Sequence, residues 1–203
     1  MFTGIVQAVG KVESLESRPG GARLVLEVPE GFTARLESGD SIAVDGACLT
    51  VVNTNLTTVT FDLLLSTLGR TIASGYREGS QVNLETGVRA GDKMDGHIVQ
   101  GHVDGIGHLI SPRDEGGSLF LTFQIPPEVQ AATILYGSIA LNGVSLTVNE
   151  LEDPDGVGVA IIPHTRDHTN LGSLIPGDRV NVEGDLIGKY VGRFLEQARP
   201  FSR

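Results

Sequence analysis

Apolar and β-branched residues in this chain fall in short runs separated by glycine-bearing turns, with one exception at the C-terminal end. Residues 2–16 read as a first strand. In residues 22–28, Leu24, Leu26 and Val28 share one face, and Pro29 ends the run because proline cannot extend a ladder. Residues 41–52 are two β-branched runs around Asp45-Gly46, a hairpin signal. Residues 57–65 form another strand, a helical turn follows near Leu68 to Ile72, and residues 81–88 close the series. Short strands punctuated by glycine at roughly ten-residue spacing predict a sandwich or a small closed barrel. Closure removes exposed strand edges, which favours the barrel for so small a unit. The exception is Leu186, Ile187, Tyr190, Val191, Phe194, Leu195 and Ala198, whose spacing predicts an amphipathic helix of about three turns. Its apolar stripe must be covered by a barrel or by copies of itself. Gly188 and Gly192 each cost such a helix about 1 kcal/mol relative to alanine. Either they are tolerated at exposed sites or they allow close helix–helix approach at an oligomer interface.

The strand pattern is written twice. Ser41–Val51 (SIAVDGACLTV) returns 97 positions later as Ser138–Val148 (SIALNGVSLTV). Gly4-Ile5-Val6 aligns with Gly101-His102-Val103, and Gly10 with Gly107. After one inserted residue, Thr67 aligns with Thr165 and Gly79–Glu85 with Gly177–Glu183. A fixed offset with a single indel marks tandem duplication. The second turn is Asn142-Gly143, a different dipeptide suited to the same backbone geometry. The chain therefore divides into residues 1–96, residues 97–185 and a C-terminal helix and tail, 186–203, with Ala90–Lys93 as linker. The expected fold class is all-β, two tandem six-stranded barrels plus a helix.

Composition narrows the function. A formal charge of −10 disfavours nucleic acid, whose phosphates such a surface repels. No apolar run approaches the ~20 residues that span a bilayer, which argues against a membrane role. Met1-Phe2-Thr3-Gly4-Ile5-Val6 has no basic region before an apolar stretch, so a signal peptide is not expected. Cys48 is the only cysteine, which excludes an internal disulfide and fits a reducing compartment. The expected location is cytoplasmic.

The densest polar cluster is Met94–Gly105 (MDGHIVQGHVDG). On a regular strand, residues five apart face opposite sides, so His97 and His102 make a poor chelate and no metal is expected. Each is as readily a structural histidine. His102 is the better functional candidate, because its counterpart is Ile5: one half carries an imidazole suited to proton transfer where the other is apolar. Cys48 against Ser145 is a second asymmetry, although a lone cysteine is more often a small buried hydrophobe. Thr50 and Thr147 recur but are ordinary strand formers. There is no phosphate loop, dinucleotide fingerprint or nucleophile elbow. The residues by themselves describe a twin barrel binding two related small ligands.

Four motifs together, Met1–Gln7, Gly46–Val51, Gly96–Gly105 and Asn142–Val148, resemble the riboflavin synthase alpha-chain family of lumazine-binding repeats, over residues 1 to about 196. The resemblance implies two Greek-key barrels, a homotrimer held in large part by the helix, and no cofactor or metal. It implies the last step of riboflavin biosynthesis: two molecules of 6,7-dimethyl-8-ribityllumazine give riboflavin and 5-amino-6-(D-ribitylamino)uracil, between the N-terminal barrel of one subunit and the C-terminal barrel of its neighbour. It assigns Gly4, Ile5, Val6, Cys48, Leu49, Thr50, Asp62, Leu63, Leu64, Leu65, Ser66 and Thr67 to the first pocket, completed by Gly101, His102 and Val103. Ser145, Leu146 and Thr147 with Ala160, Ile161, Ile162, Pro163, His164 and Thr165 line the second. His102 resembles the proton-transfer residue, Cys48 or Ser41 a nucleophile, and Ser145 and Asp185 positioning and relay groups. Ser66 stands where a Glu is common, Asp95 where a Gly is, and Tyr136 where the family often places a Lys against a ribityl hydroxyl. Lumazine synthase is a further candidate partner. The alternative is a non-catalytic lumazine or flavin binder. The family's antenna proteins have lost the Gly-His…Gly-His cluster retained here, which argues for the enzyme. A flavin-dependent reductase would need a βαβ nucleotide domain that the sequence lacks.

Overall fold

The computed structural model describes residues 1–152 and 154–198. The first half contains β1 (Ala8–Arg18), β2 (Gly21–Glu27), β3 (Ser41–Val44), β4 (Ala47–Thr54), β5 (Thr58–Leu64), helix α1 (Leu65–Arg70) and β6 (Gln81–Thr86). The second contains β7 (Gly105–Glu115), β8 (Ser118–Gln124), the one-turn α2 (Pro127–Gln130), β9 (Ser138–Leu141), β10 (Val144–Glu152), β11 (Gly156–Ile161), α3 (Pro163–His168) and β12 (Arg179–Gly184). Helix α4 (Leu186–Ala198) follows.

Each half closes into a six-stranded antiparallel barrel, in the order β1-β2-β5-β4-β3-β6 and the identical β7-β8-β11-β10-β9-β12. The run β2-β5-β4-β3 is a Greek key. Alternate side chains fill each barrel: Val12, Leu24, Leu26, Ile42, Phe61 and Leu84 in the first, Leu109, Leu121, Phe123, Ile139, Leu141 and Val182 in the second. The hairpin turns require left-handed backbone, which Asp45 (φ 44°), Gly46 (77°), Asn142 (45°) and Gly143 (75°) adopt.

The first strand starts at Ala8, not at residue 2, and the second half's at Gly105, not at His97. Residues 1–7 and 97–104 are arms outside the barrels. Gly4 (φ 78°) and Gly101 (φ 80°) turn the chain where a strand would have continued. The arms pair with each other through one bridge, Phe2 to Val99.

Those two residues are repeat equivalents, and so are the other groups that meet between the barrels. Ala43 and Ala140 pack with Phe2 and Val99. The turns touch back to back: a Cβ on Gly46 would lie 2.7 Å from the Gly143 nitrogen. Asn83 Nδ2 donates to the Asn142 carbonyl (2.9 Å) as Asn181 Nδ2 does to that of Asp45 (2.8 Å). Reciprocal contacts of this kind define a two-fold relation between the halves. The symmetry breaks at Asp45. It replaces the amide of Asn142 with a fully buried acid, whose oxygens accept from Asn83 N, Asn170 Nδ2 and Tyr76 Oη at 2.7–2.8 Å. Burial raises its pKa to about 6 against the pull of those donors.

Helix α4 leaves Ile187, Tyr190, Val191, Phe194 and Leu195 exposed, so its own barrel does not cover the stripe. Gly188 packs on the same chain, where a Cβ would come within 2.5 Å of the Ala132 carbonyl, and Gly192 faces open space. Asp185 caps the helix by accepting from Ile187 N (2.9 Å), and Lys189 pairs with Asp104 (2.6 Å). Among the described residues no helix is long and apolar enough to cross a membrane.

Candidate functional site

The functional region is built where β4 and β10 lack a full complement of sheet partners. β4 pairs with β5 only from Val51 onward, and β10 with β11 only from Val148. The free starts of these strands are met by the arms, each crossing to the other barrel. Cys48 N donates to the Gly101 carbonyl (2.9 Å), and Ser145 N donates to the Gly4 carbonyl (2.8 Å). Only glycine fits at either contact. A Cβ on Gly101 would lie 2.5 Å from Cys48 Cβ, and one on Gly4 would lie 2.6 Å from Ser145 Cβ.

Each candidate cleft therefore rests on an arm–strand junction that combines both halves: the first on Cys48 beside Gly101, with His102 and Val103 following, and the second on Ser145 beside Gly4, with Ile5 and Val6 following. This corrects the expectation that Gly4, Ile5 and Val6 belong with Cys48: Gly4 lies on Ser145, and Val6 packs against the second barrel's core. The exchange has no local signature, because it depends on how the halves dock.

The two clefts differ in chemistry. In the second, Ser145 Oγ lies 2.7 Å from His97 Nδ1, with the His97 nitrogen held on the Thr3 carbonyl (3.1 Å). Burial lowers the His97 pKa, partly offset by the charge of Asp185, which favours the neutral ring. Its Nε2 is buried and, among the described residues, has no hydrogen-bond partner. In the first cleft, Cys48 is half-buried and His102 exposed beside buried Gly101 and Val103. Ser41, paired with Thr50 across β3 and β4, lies on the same outer face of the sheet as Cys48. No group of three metal-ligating side chains exists among the described residues.

Residues 3–87 and 100–185 each match the lumazine binding domain. Over 201 residues the chain is 41% identical to the riboflavin synthase of Mycobacterium tuberculosis (strain ATCC 25618 / H37Rv), covering 98% of this chain and 100% of the relative. The chain belongs to the riboflavin synthase family. The Bacillus subtilis (strain 168) riboflavin synthase is 35% identical, over 98% of this chain and 91% of its own. Solved structures of LumP in complex with riboflavin and with 6,7-dimethyl-8-(1'-D-ribityl) lumazine superpose with TM-scores of 0.84 and 0.81 at 28% identity. They cover 91% and 90% of this chain and 99% and 98% of theirs.

Within these lumazine-binding repeats the expected lining residues are not equivalent. Leu49, Leu63, Leu146 and Ile161 point into the barrel cores. Leu64, Leu65 and Ile162 are more than half exposed. Ser66 and Pro163 are exposed in their short helices, and Thr67 and Thr165 are half-buried there, their carbonyls accepting from Thr71 and Thr169 (2.7 Å each). Ala160 N donates to Asn149 Oδ1 (3.0 Å). Asp62 is held in a two-pronged pair by Arg23 (2.8 Å each), which together with its charge lowers the acid's pKa. His164 stacks on His168 (4.2 Å). Tyr136 is exposed at φ 61°, its nitrogen on the Val148 carbonyl (2.8 Å). Glu85 and Glu183, which hold the arms, were missed. Acids at matching repeat positions of the two last strands, QVNLET and RVNVEG, were the available signal.

Proposed function

We propose that this enzyme is a riboflavin synthase, transferring a four-carbon unit between two molecules of 6,7-dimethyl-8-ribityllumazine to give riboflavin and 5-amino-6-(D-ribitylamino)uracil. The observation that carries the reading is the pair of arm–strand junctions built reciprocally on one plan, with different reactive groups at each. Two copies of one substrate call for similar clefts, and unlike fates for those copies call for unlike side chains. The products together contain every atom of the two substrates, so no oxidant or reductant enters. Holding two flat rings in register supplies much of the rate. His102 transfers a proton at the ring methyl, whose carbanion is delocalised into the electron-poor ring, and backbone donors stabilise that charge. Ser145, with His97 as its base and Asp185 nearby, and Cys48 or Ser41 handle addition to the second ring.

Leu64, Leu65 and Ile162 are exposed in a single chain, where β5 runs into α1 and β11 into α3. A second copy facing them would exclude water, and the uncovered stripe of α4 provides a means of assembly, as a homotrimer. The likeness to LumP supports a second reading, binding of lumazine or flavin without conversion. Purified protein incubated with the lumazine alone decides: one riboflavin per two lumazines consumed is expected, and binding without conversion would leave only the second reading.

A further inference from the structure

Two glutamates stand at repeat-equivalent positions and take no part in the chemistry above. Glu183, 3% exposed, closes β12: its Oε1 accepts from Gln100 N (2.7 Å) and its Oε2 from Gly101 N (3.0 Å). Glu85, 4% exposed, closes β6: it accepts from Thr3 N (2.6 Å) and Thr3 Oγ1 (2.8 Å) through Oε1 and from Gly4 N (3.0 Å) through Oε2. Each grips an arm at the glycine whose carbonyl receives a strand N–H from the opposite barrel. Burying a carboxylate is costly, and desolvation raises the pKa of both against the pull of these N–H groups. A neutral amide of the same shape offers one acceptor and turns an NH2 group toward the second N–H. The geometry therefore selects an acid rather than a filler of volume.

We propose that Glu183 and Glu85 are positioning residues: Glu183, through Gly101, sets where His102 stands at the first cleft, and Glu85, through Gly4, sets Ser145 and its partner His97 at the second. The catalytic part of this rests on the reading given under Proposed function. The test, made on the full chain, is a double-variant cycle. Glu183→Gln is expected to lower kcat at least about tenfold with KM changed less than about threefold. In a His102→Gln background the same change is expected to cost no more than about twofold, because the group it positions is already gone. Losses that multiply, or an unchanged kcat, would overturn the proposal.

Amide hydrogen exchange reads the grip independently of turnover. The Gln100 and Gly101 amides are expected to be protected like β12 in the wild type and to lose protection locally in Glu183→Gln. Wild-type protein that converts no lumazine would sink the functional reading alone, while these exchange rates would still decide whether Glu183 holds the arm. If Glu183→Gln does not fold, the cycle of Glu85→Gln with Ser145→Ala takes its place. Gly101 and Gly4 amides exchanging at loop rates in the wild type would overturn the proposal without any variant.

Discussion

Replacing Asp45 by asparagine (Asp45→Asn) would copy the second repeat's turn into the first and remove the buried acid between the barrels. The folded protein holds the Asp45 proton more tightly than the unfolded chain does, with a pKa of about 6 against the ordinary 3.8. Its contribution is therefore fully present below pH 3.8 and is lost as pH rises through about 6. By linkage, the ionised acid costs the fold about 3 kcal/mol at pH 7.5. The carbonyl of the substituted amide would keep the bonds from Asn83 N and Asn170 Nδ2, while its NH2 faces Tyr76 Oη and leaves that hydroxyl proton unpaired, at about 1 kcal/mol. The variant is thus expected to be more stable than the wild type by about 2 kcal/mol at pH 7.5 and about equal to it at pH 4. Urea midpoints of both proteins across pH 4–8 provide the measurement. Other buried acids titrate alike in both, so the difference isolates Asp45. A difference that stays flat across that range, or a variant weaker at pH 7.5, would refute the reasoning.

Gly143→Ala should lose more than about 2 kcal/mol by urea unfolding, since the new Cβ meets Gly46 backbone 2.6 Å away at a φ of 75°. His102→Gln should slow turnover about a hundredfold and flatten the pH–rate profile, read by riboflavin fluorescence. Unaltered turnover and profile would free His102 from its role. Phe194→Asp, in the exposed stripe of α4, should leave the barrels folded by circular dichroism but yield monomers by light scattering, with conversion lost in parallel.

The hairpins and the twin barrels were legible because Asp45-Gly46 and Asn142-Gly143 announce one turn geometry twice, and that geometry fixes the register of β3 on β4 and of β9 on β10. Helix α4 was legible from spacing alone. The arms were not. Phe2, Ile5 and Val6 are good strand formers, yet Gly4, at positive φ against Ser145, turns the chain before β1 begins. The same tertiary contact decided which cleft each arm serves. The strand-face argument that set His97 apart from His102 applied to a segment that is not a strand, although the asymmetry with Ile5 still singled out His102. Gly188 sits neither at an open site nor at an interface between copies: it lets α4 settle on Ala132 of its own chain.

Because each arm lies along a strand of the opposite barrel, each reactive junction needs both repeats. A fragment ending before His97 would keep Cys48 yet have nothing to lay beside it except the Gly4 segment of an identical fragment. Fused in one polypeptide, the halves were free to diverge, and an imidazole on one arm no longer obliged its twin to carry one. An unduplicated ancestor would have met its own image across the axis, with two equal sites and no way to assign donor and acceptor.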